Sequence, residues 1–180
     1  MSELILDARC LINLYATGTE DRIFQVCGEV WVPAQVQNEA LRIRRVDEDD
    51  PTRLVSRDID LDDAIAACYI QTCQVEGQDE LDAFVRLAMQ LDDGEASCLA
   101  IAMSRGWTVA TDDRKARRIA SENGIELIST PELVQRWVDA VSACEGAVAD
   151  VLKKIELFAK FRPRRTDPLY GWWTGISEKG

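Results

Sequence analysis

The chain has 180 residues, 47% hydrophobic and 29% charged, which suits one α/β core with a modest extension and excludes disorder, collagen-like repeats and two full catalytic domains. It contains no histidine, so a Ser-His-Asp triad, a Cys-His dyad and an imidazole base are all excluded, and hydrolytic chemistry would rest on carboxylates, lysines or a metal. The formal charge of −11 is uneven: residues 1–100 hold 8 Lys/Arg against 21 Asp/Glu, whereas residues 101–180 hold 13 against 11.

In chain order, Leu4-Ile5-Leu6 reads as a buried strand that ends at Asp7 and passes into a helix through Leu11-Ile12 and Leu14-Tyr15. A helical stretch from Thr19 to about Val26 precedes Val30-Trp31-Val32, a second strand stopped by Pro33. The spacing of Val36, Ala40 and Ile43 predicts a helix over 34–44 that carries Glu39, and residues 47–51 read as an acidic loop. A capped helix after Asp60 or Asp62 leads into a strand around Tyr69 to Val75. Asp79 to Met89 is an amphipathic helix with Leu81, Phe84, Val85, Ala88 and Met89 assigned to its apolar face.

Gly94 opens a further helix stopped by Gly106, with Ala96, Leu99, Ala100 and Met103 inward. Trp107 to Ala110 is a strand that delivers Thr111-Asp112-Asp113, followed by a helix over 114–122, a C-cap at Gly124 and a short strand to Ile128. Thr130-Pro131 caps a last helix, broken near Gly146 and running to about Lys160. Between Lys153 and Arg165 six cations face one Glu156, and Trp172-Trp173 follow, a pattern that suits a nucleic-acid backbone, an acidic partner or a plain solvated tail.

The six cysteines form no CxxC and are expected to be buried free thiols. No apolar run reaches the roughly 18 to 20 residues of a membrane helix, and the start MSELILDARC lacks the basic end and long apolar stretch of a secretory leader. A cytoplasmic protein with no membrane partner is expected.

Alternating strands and helices imply a parallel sheet covered on both faces, with ligands collecting beyond the carboxyl ends of the strands. Asp7 and Asp112-Asp113 fall at that edge. Asp7, Glu39, Glu95, Asp112 and Asp113 are each polar where the surrounding pattern is apolar. Carboxylates within about 5 Å repel by a few kcal/mol per pair, so a shared cluster stays ionised only around a cation, and a hard divalent ion fits an all-oxygen donor set. Singly, Glu95, Asp112 and Asp113 read equally well as helix N-terminal acids and Glu39 as a solvated residue. Asp7 is different, because an acid directly after a buried run is costly unless paired or metal-bound.

Four segments, read in order, resemble the acidic motifs of the PIN-domain family: Leu4 to Leu14, Val32 to Glu39, Asp92 to Ala102, and Ala110 to Arg117. The resemblance extends over roughly residues 3 to 130. It implies a three-layer α/β/α fold with a mainly parallel sheet of about five strands, here spanning 1–135, plus a C-terminal helical extension with a basic, Trp-containing tail over 136–180. It also implies a pocket for Mg²⁺ or Mn²⁺ and endonuclease activity on single-stranded RNA. Carried over by motif, Asp7, Glu95 and Asp113 become metal ligands and Glu39 a ligand directly or through water. Asp112 competes with Asp113 as the fourth acid, and Asp92 and Asp93 add charge at the rim. Arg114, Lys115 and Arg117 become candidates for holding RNA phosphates.

Many prokaryotic relatives are toxins restrained by a small antitoxin, and many form homodimers, so the resemblance brings both partners into view. One departure stands out. Where the family usually places Ser, Thr or Asn, two residues after the first Asp, this chain has Arg9. That guanidinium would either pair with Asp7 and silence the pocket, leaving a binding module for RNA or protein, or point outward toward an RNA phosphate. An aspartyl-phosphate phosphatase is disfavoured, because Arg9 stands where that chemistry needs its second acid.

Overall fold

A computed structural model describes residues 3–39 and 41–178. Five strands form one wholly parallel sheet in the order β5-β2-β1-β6-β7: β1 (Leu4–Leu6), β2 (Val30–Pro33), β5 (Gln71–Cys73), β6 (Thr108–Ala110) and β7 (Leu127–Ile128). The central strand β1 and its neighbour β6 are buried at every position, as expected for strands covered by helices on both faces. Leu4, Ile5 and Leu6 pair in register with Thr108, Val109 and Ala110, which brings the carboxyl ends of the two strands side by side. Strand order reverses there: the chain winds from β1 outward through β2 to β5, then returns to the other side of β1 for β6 and β7.

The helices follow their end signals. Asp7 caps α1 (Ala8–Thr17), Asp92 caps α6 (Asp93–Arg105) and Asp113 caps α7 (Arg114–Glu122), each through a side-chain oxygen that accepts backbone N–H groups of the first turn. Gly106 ends α6 at φ 71°, in the left-handed region a side chain resists. A full capping box, Ser129 with Glu132, starts α8 (Thr130–Val141). The shorter α2 (Glu20–Cys27) and α4 (Asp62–Ala66) complete the layers. Among the described residues no helix is long and apolar enough to cross a membrane.

Four sequence expectations are corrected. The helix expected over 34–44 is one turn, α3 (Ala34–Gln37), after which the chain forms an antiparallel hairpin of β3 (Arg42–Val46) and β4 (Leu54–Asp58). Ala40 lies outside the described residues, and Glu39 follows the helix rather than sitting within it. The acidic loop is the hairpin's turn, in which Asp47 and Asp50 accept the N–H groups of Asp49 and Thr52. The apparent helical spacing of Val36 and Ile43 was therefore shared between a helix and a strand.

The second correction concerns α5 (Gly77–Ala88). Leu81, Val85 and, just beyond the helix end, Met89 are 47, 57 and 83% exposed, while Glu80, Ala83 and Leu87 face inward against α6. Glu80 tolerates burial because Arg105 of α6 grips both its oxygens, at 2.7 and 2.9 Å. The third concerns the cysteines, all free: Cys10, Cys27 and Cys98 are buried as expected, but Cys68 and Cys144 are exposed.

The C-terminal segment is broken at Ser142, at φ 49°, rather than at Gly146. It continues as α9 (Glu145–Lys154), a π-helical turn (Ile155–Ala159) and α10 (Tyr170–Ser177). Val148, Val151, Leu152, Ile155 and Trp173 belong to the same hydrophobic core as β1 and β6. Trp173 is fully buried, packs edge-on to Phe161 at 5.8 Å, and donates its indole N–H to Glu156 at 2.7 Å. It is thus no free aromatic for stacking on a base. Trp173→Ala is expected to lower stability by about 3–5 kcal/mol in denaturant unfolding, through the cavity it leaves. The half-buried Trp172, changed to Ala, should cost clearly less.

Candidate functional site

The site begins with two strand ends. Asp7 leaves β1 and its N–H donates to the carbonyl of Ala110, the last residue of β6, at 3.1 Å. Residues 111–113 leave β6 beside it, so the acids gather where the strand order reverses, the place at which open parallel sheets form crevices. Asp7 is only 3% exposed, and burial pushes its carboxyl up to about 7. Hydrogen bonds from the Thr111 side chain and the Cys10 N–H oppose that shift, while Asp112 and Glu95 add to it.

Glu95, in the first turn of α6, is likewise pushed to about 7, first by burial and then by Asp92, with Asp113 and Glu39 adding to it. Glu39 is raised by burial and then by Asp92 and Asp93. Its carboxylate lies against Gly94, where a Cβ would stand 2.0 Å from Oε1, so the bare backbone of Gly94 makes the room Glu39 occupies. Among the described residues no ion pair joins any of Asp7, Glu39, Glu95, Asp112 or Asp113 to a cationic side chain.

Asp112 and Asp113 differ in what they do. Asp112 accepts from the Thr130 N–H at 3.0 Å, the Thr130 hydroxyl, the Asn13 amide at 3.0 Å and the Cys10 thiol at 3.3 Å. It therefore ties α1 and α8 to the end of β6. Asp113 spends one oxygen, Oδ1, on the N–H groups of Lys115 and Ala116, at 2.7 and 3.0 Å. Asn13, Thr111 and Thr130 were not singled out in the sequence. Asn13 lies inside the first acidic segment, and Thr130 gave only a helix-start signal.

Two cavities border the acids. One, of about 600 Å³, is lined by Gln35, Asn38, Glu39, Asp92, Asp93 and Gly94. The other, of about 550 Å³, is lined by Asp112 and Asp113 together with Arg9, Arg114 and Arg117, and by residues between Lys160 and Pro168. Arg9 is exposed and forms no ion pair with Asp7; it lines this second cavity. Lys115 does not line it, and its ammonium donates to the carbonyl of Gln90.

The donor set suits a hard divalent cation: oxygen only, mutually repelling and without a cationic partner among the described residues, with Asp7 buried, Glu95, Asp112 and Asp113 half-buried and Glu39 exposed. Among the described residues no three acids are drawn together as a ready cage. Mg²⁺ keeps several waters and takes one or two carboxylates directly, so donor type and charge fit while a complete protein cage is absent.

A family model described as PIN domain matches residues 3–159, and the chain belongs to that family. Searches of curated proteins and of solved structures gave no significant match.

Two predictions follow from the geometry. Asp7 ordinarily titrates near 3.8 and is held near 7 in the folded, metal-free protein. The native state therefore binds the extra proton between those values and loses stability as pH rises through that window. Asp7→Asn keeps an oxygen that can cap α1 and removes the charge, so in chelator it should match the parent near pH 4 and exceed its stability by roughly 2–4 kcal/mol at pH 8. Denaturant titrations at the two pH values check this. In Gly94→Ala the flexible end of Glu39 must swing away, so the melting temperature should stay near the parent's while Mn²⁺ affinity, read by calorimetry, falls as it does in Glu39→Ala.

Proposed function

We propose that this PIN-domain protein, whose fold is of nuclease type, is a metal-dependent endoribonuclease that hydrolyses phosphodiester bonds of single-stranded RNA. The observation that carries the reading is the buried Asp7 with the half-buried Glu95, Asp112 and Asp113 near the β1/β6 strand ends, none paired with a cationic side chain among the described residues, bordered by a cavity rich in arginine. In this reading Asp7, Glu95 and Asp113 hold Mg²⁺ or Mn²⁺, with Glu39 joining directly or through water. The bound ion supplies neutralisation of the charge that builds on the phosphodiester and acidification of a water.

The chain's own residues supply the rest. The Cys10 N–H fixes the rotamer of Asp7, and the network of Asn13 and Thr130 around Asp112 holds the two strand ends together. Capping of α7 leaves the second oxygen of Asp113 uncommitted by any hydrogen bond among the described residues. Arg114 and Arg117 offset the acids' repulsion of an anionic strand. Cytoplasmic location and a role as the toxin of a toxin–antitoxin pair are narrower forms of the same reading. A toxin would arrest growth when expressed without its antitoxin, and Asp7→Asn would relieve the arrest.

The lack of a ready three-acid cage favours a second reading, a PIN fold kept as an RNA- or protein-binding module. Cleavage of labelled single-stranded RNA separates the two, with parent, Asp7→Asn and Glu95→Gln purified in parallel and assayed in Mn²⁺ and in chelator. The nuclease reading expects cutting by the parent in Mn²⁺ alone and a loss on the order of 100-fold or more in each variant. RNA bound but never cut, by a folded parent, would favour the module.

A further inference from the structure

The matched family region ends at residue 159, yet the arginine-rich cavity is closed by what comes next. Lys160, at φ 56°, turns the chain out of the π-helical turn, and Lys160, Phe161, Arg162, Pro163 and Arg164 run along the wall facing α7. This wall is held without a ligand. Arg162 is clamped between Glu156 at 3.1 Å and Glu178 at 2.6 Å, and Phe161 packs on the buried Trp173. Asp167 closes the following turn by donating its N–H to the Arg164 carbonyl at 2.9 Å and accepting the Leu169 N–H at 2.8 Å.

With Arg162 neutralised by its two glutamates, Lys160 and Arg164 remain exposed and without an acidic partner among the described residues. Across the gap stand Arg9, Arg114 and Arg117, likewise unpaired with acids, and Arg117 is anchored by donating to the Thr111 carbonyl at 2.9 Å. Cations from two separate stretches of chain, Arg9 with α7 and the segment after residue 159, therefore line one cleft together with Asp112 and Asp113. Its volume of about 550 Å³ is that of a small-molecule site and admits a nucleotide unit, not a duplex.

We propose that the segment 160–168 is a second substrate wall, and that one RNA strand passes between it and α7, with backbone phosphates on Arg114 and Arg117 on one side and Lys160 and Arg164 on the other. The inference rests on the nuclease reading for the identity of the strand. It adds that the chain grips its substrate through residues outside the matched family region. A preorganised wall selects for a single strand by width, and two-sided contact holds the strand against the repulsion of the acids.

The test is fluorescence anisotropy of a labelled single-stranded RNA with the full chain in chelator, so that binding is read without cleavage. The variant is Lys160→Asn with Arg164→Gln, since Asn tolerates the left-handed backbone at 160. Lys153→Gln, a cation of α9 away from the cleft, is the control. The double variant should melt like the parent, bind at least about tenfold more weakly at low salt, and show a log affinity against log salt slope shallower by about 1.4, the value for two lost single-strand phosphate contacts. The control should bind like the parent, and a duplex of the same sequence should bind more weakly than the single strand.

Equal binding by parent and double variant, or no RNA binding by the parent, would overturn the second wall. Tighter binding of a labelled polyglutamate peptide than of RNA, lost in the double variant, would overturn the nucleic-acid assignment in favour of an acidic protein partner. The nuclease reading fails separately: a parent that shows the expected binding pattern but never cuts in Mn²⁺ keeps the wall and loses the enzyme.

Discussion

The constraint on which the rest of the structure depends is the burial of Asp7 at the end of β1. A carboxylate that is 3% exposed, under the field of Asp112 and Glu95 and without a cationic partner among the described residues, is unstable as an anion in isolation, and its raised pKa expresses that cost. The fold puts it there because β1 is the central strand of a parallel sheet and ends, beside β6, where its helix begins. Every polar group around it is arranged as support. The N–H of Cys10 and the hydroxyl of Thr111 hold the carboxyl in place without neutralising it.

The acids divide the work between holding the crevice and filling it. Asp112, with bonds to Cys10, Asn13 and Thr130, fastens three elements together, and that use of its oxygens competes with a ligand role. Asp92 and Asp113 add to the burial that raises Glu95, and Glu39 fits against α6 only because Gly94 carries no side chain. On one side the crevice grades into a groove of acids and on the other into a cleft of arginines, so a polyanion approaching the acids meets its attraction from one direction. Arg9, which would have silenced Asp7 by pairing with it, contributes to that attraction instead.

Much of this was legible in the sequence because it rests on short-range signals. The apolar runs of β1 and β6, the acid that starts α7 and the left-handed stop at Gly106 are all written within a few residues of where they act. What was missed depends on distant partners. Glu80 turns inward because Arg105, 25 residues on, meets it, and with it the outward face of α5 becomes Leu81 and Val85, with Met89 just beyond. The hairpin of β3 and β4 was hidden because Ile43 falls at helical spacing from Val36, and only the turn chemistry of Asp47 and Asp50 marks it. Trp173 looked like an exposed aromatic because its pocket is built by Phe161 and Glu156, which a linear reading places in a basic tail. The five acids were named from motif order, whereas the support of Asn13 and Thr130 needed the sheet to bring residues 13, 112 and 130 together.

The central claim is the proposal that the acids around the buried Asp7 bind a divalent cation. Its most direct test is calorimetric titration of Mn²⁺ into the chelator-treated, dialysed parent protein, with thermal melting followed on the same samples. The account predicts saturable binding together with a melting temperature that rises with Mn²⁺ concentration, as ligation of the native state demands. No saturable heat, and a melting temperature indifferent to Mn²⁺, would contradict it.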